Sequence, residues 1–107
     1  MRKDVCKKIQ ELIAARYDDN HFRAMDIARH FGLSKAGLYR LFKKCELGTP
    51  CRSITEYRIA KAIELLKGDP SLKIIDIAIA VGFNDGQYFS TTFKKITGRK
   101  PSDLRRN

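Results

Sequence analysis

The chain says nearly the same thing twice. Residues 26–44 read DIARHFGLSKAGLYRLFKK, and residues 76–95 read DIAIAVGFNDGQYFSTTFKK. Asp-Ile-Ala opens each copy, Gly32 answers Gly82, and Phe42-Lys43-Lys44 answers Phe93-Lys94-Lys95. The offset is 50 residues through the glycine and 51 at the Phe-Lys-Lys, so the second copy carries one extra residue just after its turn. A short helix, a glycine turn and a basic helix, written twice, predict two helix-turn-helix units on one small scaffold.

The rest of the chain supplies what such units need. At 107 residues it makes one domain, or two very small lobes sharing a rigid connection. Val5, Ile9, Leu12 and Ile13 fall at helical spacing opposite Lys7, Lys8, Gln10 and Glu11, which predicts an amphipathic first helix to about Tyr17. Asp18-Asp19-Asn20 breaks it. A second helix is expected over 24–31, burying Ile27, Ala28 and Phe31 and ended by Gly32, where a left-handed residue meets no Cβ clash. Ser34 is the expected N-cap of a third helix from Lys35 to about Cys45, with Leu38, Leu41 and Phe42 inward. Gly37 costs that helix about 1 kcal/mol relative to Ala, which points either to a close approach or to a tolerated blemish.

Gly48-Thr49-Pro50 closes the first unit, 1–48. A connecting helix, 49–68, follows, begun either by Thr49 with Pro50 or by a Ser53-Ile54-Thr55-Glu56 capping box. Ile59, Ala62, Ile63 and Leu66 give it a continuous apolar stripe, and Gly68-Asp69-Pro70 stops it. In the second unit, 69–107, Ile74, Ile77, Ala78 and Val81 bury one face of a helix ended by Gly82. Asn84 or Asp85 caps the next, Gly86 to about Thr97, and Pro101-Ser102-Asp103-Leu104 makes a last short turn. No stretch alternates with period two, so the fold class is all-α, with two helix-turn-helix subdomains joined by a long connecting helix.

Charge then narrows the function. Lys and Arg number 22 against 12 Asp and Glu, a net charge of +10, and a domain this basic meets a polyanion, of which nucleic acid is the commonest. Cys6, Cys45 and Cys51 are odd in number and lack Cys-x-x-Cys spacing, and His21 and His30 are not spaced as a zinc pair. The cysteines are therefore expected as buried or half-buried thiols in a reducing cytoplasm, with no metal and no cofactor. No apolar run follows Met1-Arg2-Lys3-Asp4, so neither a signal peptide nor a membrane span is expected.

A helix fits the major groove of B-DNA, and its predecessor in the motif braces it across the backbone. The first unit offers Tyr39 and Arg40 outward, flanked by Lys35, Lys43 and Lys44; the second offers Gln87, Ser90 and Thr91, flanked by Lys94 and Lys95. Arg reads guanine through two parallel bonds and Gln reads adenine likewise. Lysines near helix ends, together with Ser34 and Asn84 at helix starts, suit phosphates. Any one of these residues would be unremarkable on a solvated helix face, but the repetition of the pattern argues for a shared role.

The segment GFNDGQYFSTTFKKITGRKPSDLR, 82–105, resembles the signature end of the AraC/XylS family of bacterial transcription regulators. GLSKAGLYRLFKK, 32–44, and RIAKAIELL, 58–66, also match that family's pattern, so the resemblance covers nearly the whole chain. It implies about seven helices, two helix-turn-helix subdomains, and recognition helices entering successive major-groove segments on one face of double-stranded DNA. By position it places base reading on Ala36, Gly37, Tyr39 and Arg40 in the first unit and on Gly86, Gln87, Ser90 and Thr91 in the second. Family members commonly carry Arg where this chain has Thr91, and Gly86 has no side chain to read with, so the second helix is expected mainly to anchor phosphates. RNA polymerase is the expected protein partner. Many relatives carry a further effector-binding or dimerisation domain for which this chain has no room; it is expected to act as a monomer, unless part of a longer dimeric protein.

Two rival readings are weaker. Architectural binding of RNA or of any DNA is disfavoured by the duplicated unit and by the lack of aromatic platforms for stacking bases. An enzyme is disfavoured because no nucleophile and base can be paired: His21 and His30 have no evident partner.

Overall fold

Gly or Asx residues stand within two residues of the ends of most of the helices. The computed structural model describes the backbone of residues 2–105 and the side chains of residues 4–105. Among the described residues it is wholly helical: α1 (Arg2–Arg16), α2 (Ala24–Phe31), α3 (Lys35–Lys44), α4 (Pro50–Gly68), α5 (Ile74–Ala80), α6 (Gly86–Thr97) and α7 (Pro101–Arg105). The chain forms two compact units, one of Met1–Tyr17 and His21–Tyr57, the other of Asp18–Asn20 and Arg58–Asn107. The division falls inside α4, which gives its first half to one unit and the remainder to the other.

The first unit is built on one apolar cluster. Ile9 and Ile13 of α1, Ile27 and Ala28 of α2, Leu38 and Phe42 of α3, and Ile54 of α4 are buried together with Phe22, from the segment before α2. Full burial of one such large side chain stabilises by about 1.5–3 kcal/mol. Phe31 and Leu41, expected inside, are half-buried and pack against this cluster. Phe22 has no helical period to betray it; the guanidinium of Arg16 lies 4.8 Å over its ring.

The cysteines depart from expectation. Cys6 of α1 and Cys45, which directly follows α3, are joined by a disulfide with Cα atoms 5.6 Å apart, and Cys51 is a free, exposed thiol. No spacing motif announces a pairing between residues 39 apart in sequence. It arises because α1 and α3 pack on the same core, which brings α1 to the C-terminal end of α3.

The second unit repeats the plan. Ile59, Ala62 and Leu66 of α4, Ile77 and Ala78 of α5, Phe89 and Phe93 of α6, Pro101 of α7, and Val81 and Phe83 between α5 and α6 are buried. Its three phenylalanines pack in series, edge-on or tilted, with ring centroids 5.2 Å apart for Phe83–Phe89 and 5.6 Å for Phe89–Phe93. Arg58 is buried beside them in sequence order but not in chemistry: its guanidinium donates to the Asp19 carbonyl at 3.0 Å. That bond, and one from the Asn20 side-chain amide to the Asn84 side-chain oxygen, tie the Asp18–Asn20 segment into this unit.

Candidate nucleic-acid interface

Two identical backbone devices set the pitch between the helices of each pair. In the first unit the Leu33 amide donates to the Ala28 carbonyl at 2.8 Å and the Gly32 amide to the Arg29 carbonyl at 3.2 Å. In the second, Phe83 donates to Ala78 at 2.9 Å and Gly82 to Ile79 at 3.1 Å. Both are six-to-one, five-to-two helix endings, which require a left-handed residue at their centre. Gly32 and Gly82, with φ of 65° and 101°, fill that place.

Side-chain caps then start the outer helices. Ser34 Oγ accepts from the Gly37 amide at 3.1 Å and so begins α3. Asp85, rather than Asn84, begins α6: one carboxylate oxygen accepts from the Gln87 amide at 2.7 Å and the Tyr88 amide at 3.1 Å. Asn84 is exposed and its side-chain oxygen is taken by Asn20. In α2, Asp26 reaches back to the Arg23 amide at 2.7 Å and also pairs with Arg29 at 2.9 Å. The connecting helix takes the earlier of its two expected starts, with Thr49 Oγ1 accepting from the Arg52 amide at 3.3 Å and Pro50 as the first helical residue.

On α3, Lys35, Ala36, Tyr39, Arg40, Lys43 and Lys44 are exposed, while Leu38 and Phe42 are buried. Gly37 is half-buried, and a Cβ added there would stand 3.3 Å from Ser34 Oγ and 3.7 Å from the Leu33 side chain. The close approach at Gly37 is thus to the helix's own cap. Arg40 rests with Nε pointing at the Ala36 carbonyl, 3.4 Å away, a weak bond that leaves the guanidinium free to swing outward. Tyr39, Arg40 and Lys43 share a shallow hollow of about 560 Å³ with Glu46, Gly48 and Thr49.

On α6, Gln87, Thr91, Lys94 and Lys95 are exposed, Gly86 and Ser90 half-buried, and Phe89 and Phe93 buried. A Cβ at Gly86 would meet Ile75 Cδ1 at 2.7 Å, so this glycine gives room to the end of a neighbouring side chain. Ser90, Thr91 and Lys94 line a second hollow, of about 270 Å³, together with Ile74, Lys100, Pro101 and Ser102. Glu46, Thr49, Lys100 and Ser102 were not foreseen in either role. The signal for Lys100 was available: it stands between a glycine and a proline, where a chain reversal brings it back toward α6.

The electrostatics are one-sided. Among the described residues, Lys35, Lys43, Lys44, Lys94 and Lys95 have no carboxylate within ion-pair distance, whereas Arg29 pairs with Asp26 in α2, and Arg52 with Glu56 and Lys61 with Glu64 in α4. Among those residues too, no group of His, Cys, Asp and Glu side chains is placed to hold a metal ion, and no helix is long and apolar enough to cross a membrane.

Two capped, glycine-turned helix pairs with unpaired cations on the second helix define a helix-turn-helix domain. The family described as "Helix-turn-helix domain" matches residues 27–107. The Arabinose operon regulatory protein of Salmonella typhimurium is 35% identical over 103 residues, covering 96% of this chain and 35% of its own length. The Msm operon regulatory protein of Streptococcus mutans is 32% identical over 104 residues, covering 97% and 37%. Among solved structures, the C-terminal domain of the two-component response regulator yesN from Fusobacterium nucleatum superposes with a TM-score of 0.87 at 34% identity, covering 95% of this chain and 98% of that one. An AraC-type transcriptional regulator from Chromobacterium violaceum gives 0.83 at 28% identity, covering 97% and 91%. The chain belongs to the AraC/XylS family of transcription regulators, as a DNA-binding domain of that type. It spans about a third of the length of the curated relatives it matches.

Proposed function

We propose that this chain binds double-stranded DNA sequence-specifically in the control of bacterial transcription, in the cytoplasm and without catalysis. The observation that carries the reading is the doubled arrangement itself: α3 and α6 each follow a left-handed glycine turn, each is N-capped, and each turns unpaired lysines and polar side chains outward. Outward polar groups on a braced helix can reach base edges, and lysines at its end can neutralise phosphates. On this reading α3 and α6 enter successive major-groove segments, Tyr39 and Arg40 choose the sequence, and Gln87 is the best-equipped reader on α6. Lys35, Lys43, Lys44, Lys94 and Lys95 hold the backbone, and a single chain suffices for one asymmetric site.

The test is a comparison of selected and random duplexes at defined salt. Arg40→Ala should cost about 1–3 kcal/mol on the selected duplex and relax preference at one base pair, while Lys94→Ala should weaken both duplexes alike. Equal losses on both duplexes for Arg40→Ala would remove Arg40 from the base-reading set. A palindromic footprint requiring two protein molecules would overturn the single-chain binding mode.

We also infer that RNA polymerase is the protein partner. Ile75 and Ile79, 45% and 56% exposed, flank Asp76 on α5, and no Lys or Arg occurs from Ile74 to Phe93. A face without cations is poorly suited to phosphates, and an exposed apolar pair rimmed by acid suits a protein surface. In vitro transcription with an Ile79→Asp variant tests it.

A further inference from the structure

The hollow beside α6 is built for an anion. Among the described residues its polar lining consists of two lysines, Lys94 and Lys100, and three hydroxyls, on Ser90, Thr91 and Ser102, with no carboxylate. Of the acids near it in sequence, Asp69, Asp76, Asp85 and Asp103, none is in the lining, and three are hydrogen-bonded elsewhere. Asp103 accepts from the Lys100 backbone amide at 3.2 Å, and Asp69 accepts from the Ser71 amide at 3.0 Å and from the Ser71 hydroxyl at 2.5 Å. Among the described residues neither lysine ammonium has an ion-pair partner.

The two sides of the hollow are held in register by the chain reversal between α6 and α7. Gly98, at φ 80°, turns the chain. Thr97 Oγ1 lies 2.9 Å from the Phe93 carbonyl and 3.0 Å from the Arg99 carbonyl, to either of which its one proton can be donated, and accepts from the Arg99 amide at 3.1 Å. Buried Pro101 then fixes the start of α7. Lys100 and Ser102 are thereby returned to face the residues one to two turns earlier on α6.

We infer that this hollow is a subsite for one phosphate of the DNA backbone, gripped by Lys94 and Lys100 from two sides and hydrogen-bonded by Ser90, Thr91 and Ser102. The inference rests on the DNA-binding reading above and revises it in two respects. Ser90 and Thr91 become phosphate ligands rather than base readers, and Lys100 and Ser102 join the interface. A tetrahedral oxyanion matches the lining: its oxygens accept bonds, and every polar side chain present can donate one.

The experiment measures Kd against salt for the wild type, Lys100→Gln, Ser102→Ala and a charge-matched control, Lys67→Gln, which does not line the hollow. Each is run on a selected duplex and on a random one. Loss of one phosphate contact should lower the log–log salt slope by about 0.9, which is about 5-fold in Kd at 0.15 M salt if the contact counts for nothing at 1 M. Lys100→Gln should show this on both duplexes, beyond any change in the Lys67→Gln control, and Ser102→Ala should weaken both without changing the slope. A scan of single neutral methylphosphonates should then reveal one phosphate whose neutralisation weakens the wild type but not Lys100→Gln. A slope for Lys100→Gln equal to that of the control, or a methylphosphonate pattern identical to the wild type's, overturns the subsite. A wild type that does not distinguish the selected from the random duplex overturns sequence-specific reading itself, a separate result.

Discussion

Reduction of the Cys6–Cys45 disulfide should destabilise the first unit far more than the second. The bond spans a sequence separation of 39, and the loop it closes contains all of α2 and α3, the first helix-turn-helix pair. In the chain-entropy description, closing a loop of that length removes about 13 cal/mol/K from the unfolded ensemble, or about 4 kcal/mol at 25 °C. A small domain has about 5–15 kcal/mol in total, so the loss takes a large share of it. The assay is urea unfolding of the oxidised and reduced protein, carried out on a Cys51→Ser background because the exposed Cys51 thiol can exchange with the bond. Hydrogen exchange locates the effect. Amides of residues 24–44 should lose protection on reduction, and those of 86–97, in the other unit, should keep theirs. Cys6→Ser with Cys45→Ser should reproduce the reduced protein. A stability difference below about 1 kcal/mol would refute the entropic account; three alkylatable thiols in the untreated native protein would refute the bond itself.

Two further outcomes follow from local geometry. Glu46 closes α3 at φ 57°, in the same six-to-one, five-to-two ending that uses glycine elsewhere, with Leu47 donating to Phe42 at 3.0 Å and Glu46 to Lys43 at 3.1 Å. Left-handed backbone costs a residue with a Cβ about 1–2 kcal/mol, so Glu46→Gly should raise the urea midpoint with an unchanged m-value; a lowered midpoint would mean that the Glu46 side chain makes a stabilising contact. Ile79→Asp should leave Kd for the selected duplex within about 2-fold and reduce polymerase-dependent transcription from it, whereas equal transcription would remove α5 as the polymerase face.

How much of this was legible in the sequence depends on whether a feature is local. The helix pairs, their glycine endings and the Ser34 cap are decided within a few residues, and they lie where the repeat puts them. Pro50 starts α4 because Thr49 can cap it, and the competing start at Ser53 loses because Ser53 Oγ donates instead to the Leu47 carbonyl at 2.6 Å. What stayed hidden joins distant positions: Cys6 with Cys45, Asn20 with Asn84, Arg58 with the Asp19 carbonyl, and Phe22 with the first core. Glu46 was missed for the opposite reason. The helix end was expected at about Cys45, but nothing in a glutamate marks the left-handed turn that follows it.

The same contrast bears on why the two copies differ on their outer faces. The repeat holds at the positions that build the pair: Ile27 and Ala28 are buried as Ile77 and Ala78 are, Phe42 as Phe93 is, and Gly32 turns as Gly82 does. It fails at the outward positions, where Tyr39 and Arg40 stand on α3 and Ser90 and Thr91 on α6. A scaffold constrained by packing tolerates few substitutions, each large-to-small change in such a core costing about 2–5 kcal/mol; an exposed face is free of that restraint. In the proposed binding mode the free faces have taken different work. Arg40 has the donor geometry for a guanine edge, while Ser90 and Thr91 have short hydroxyls set beside two lysines that point to a phosphate. Exchange of the two outward sets is therefore not expected to be neutral: a chain with Ser and Thr on α3 keeps its fold and loses its choice of sequence.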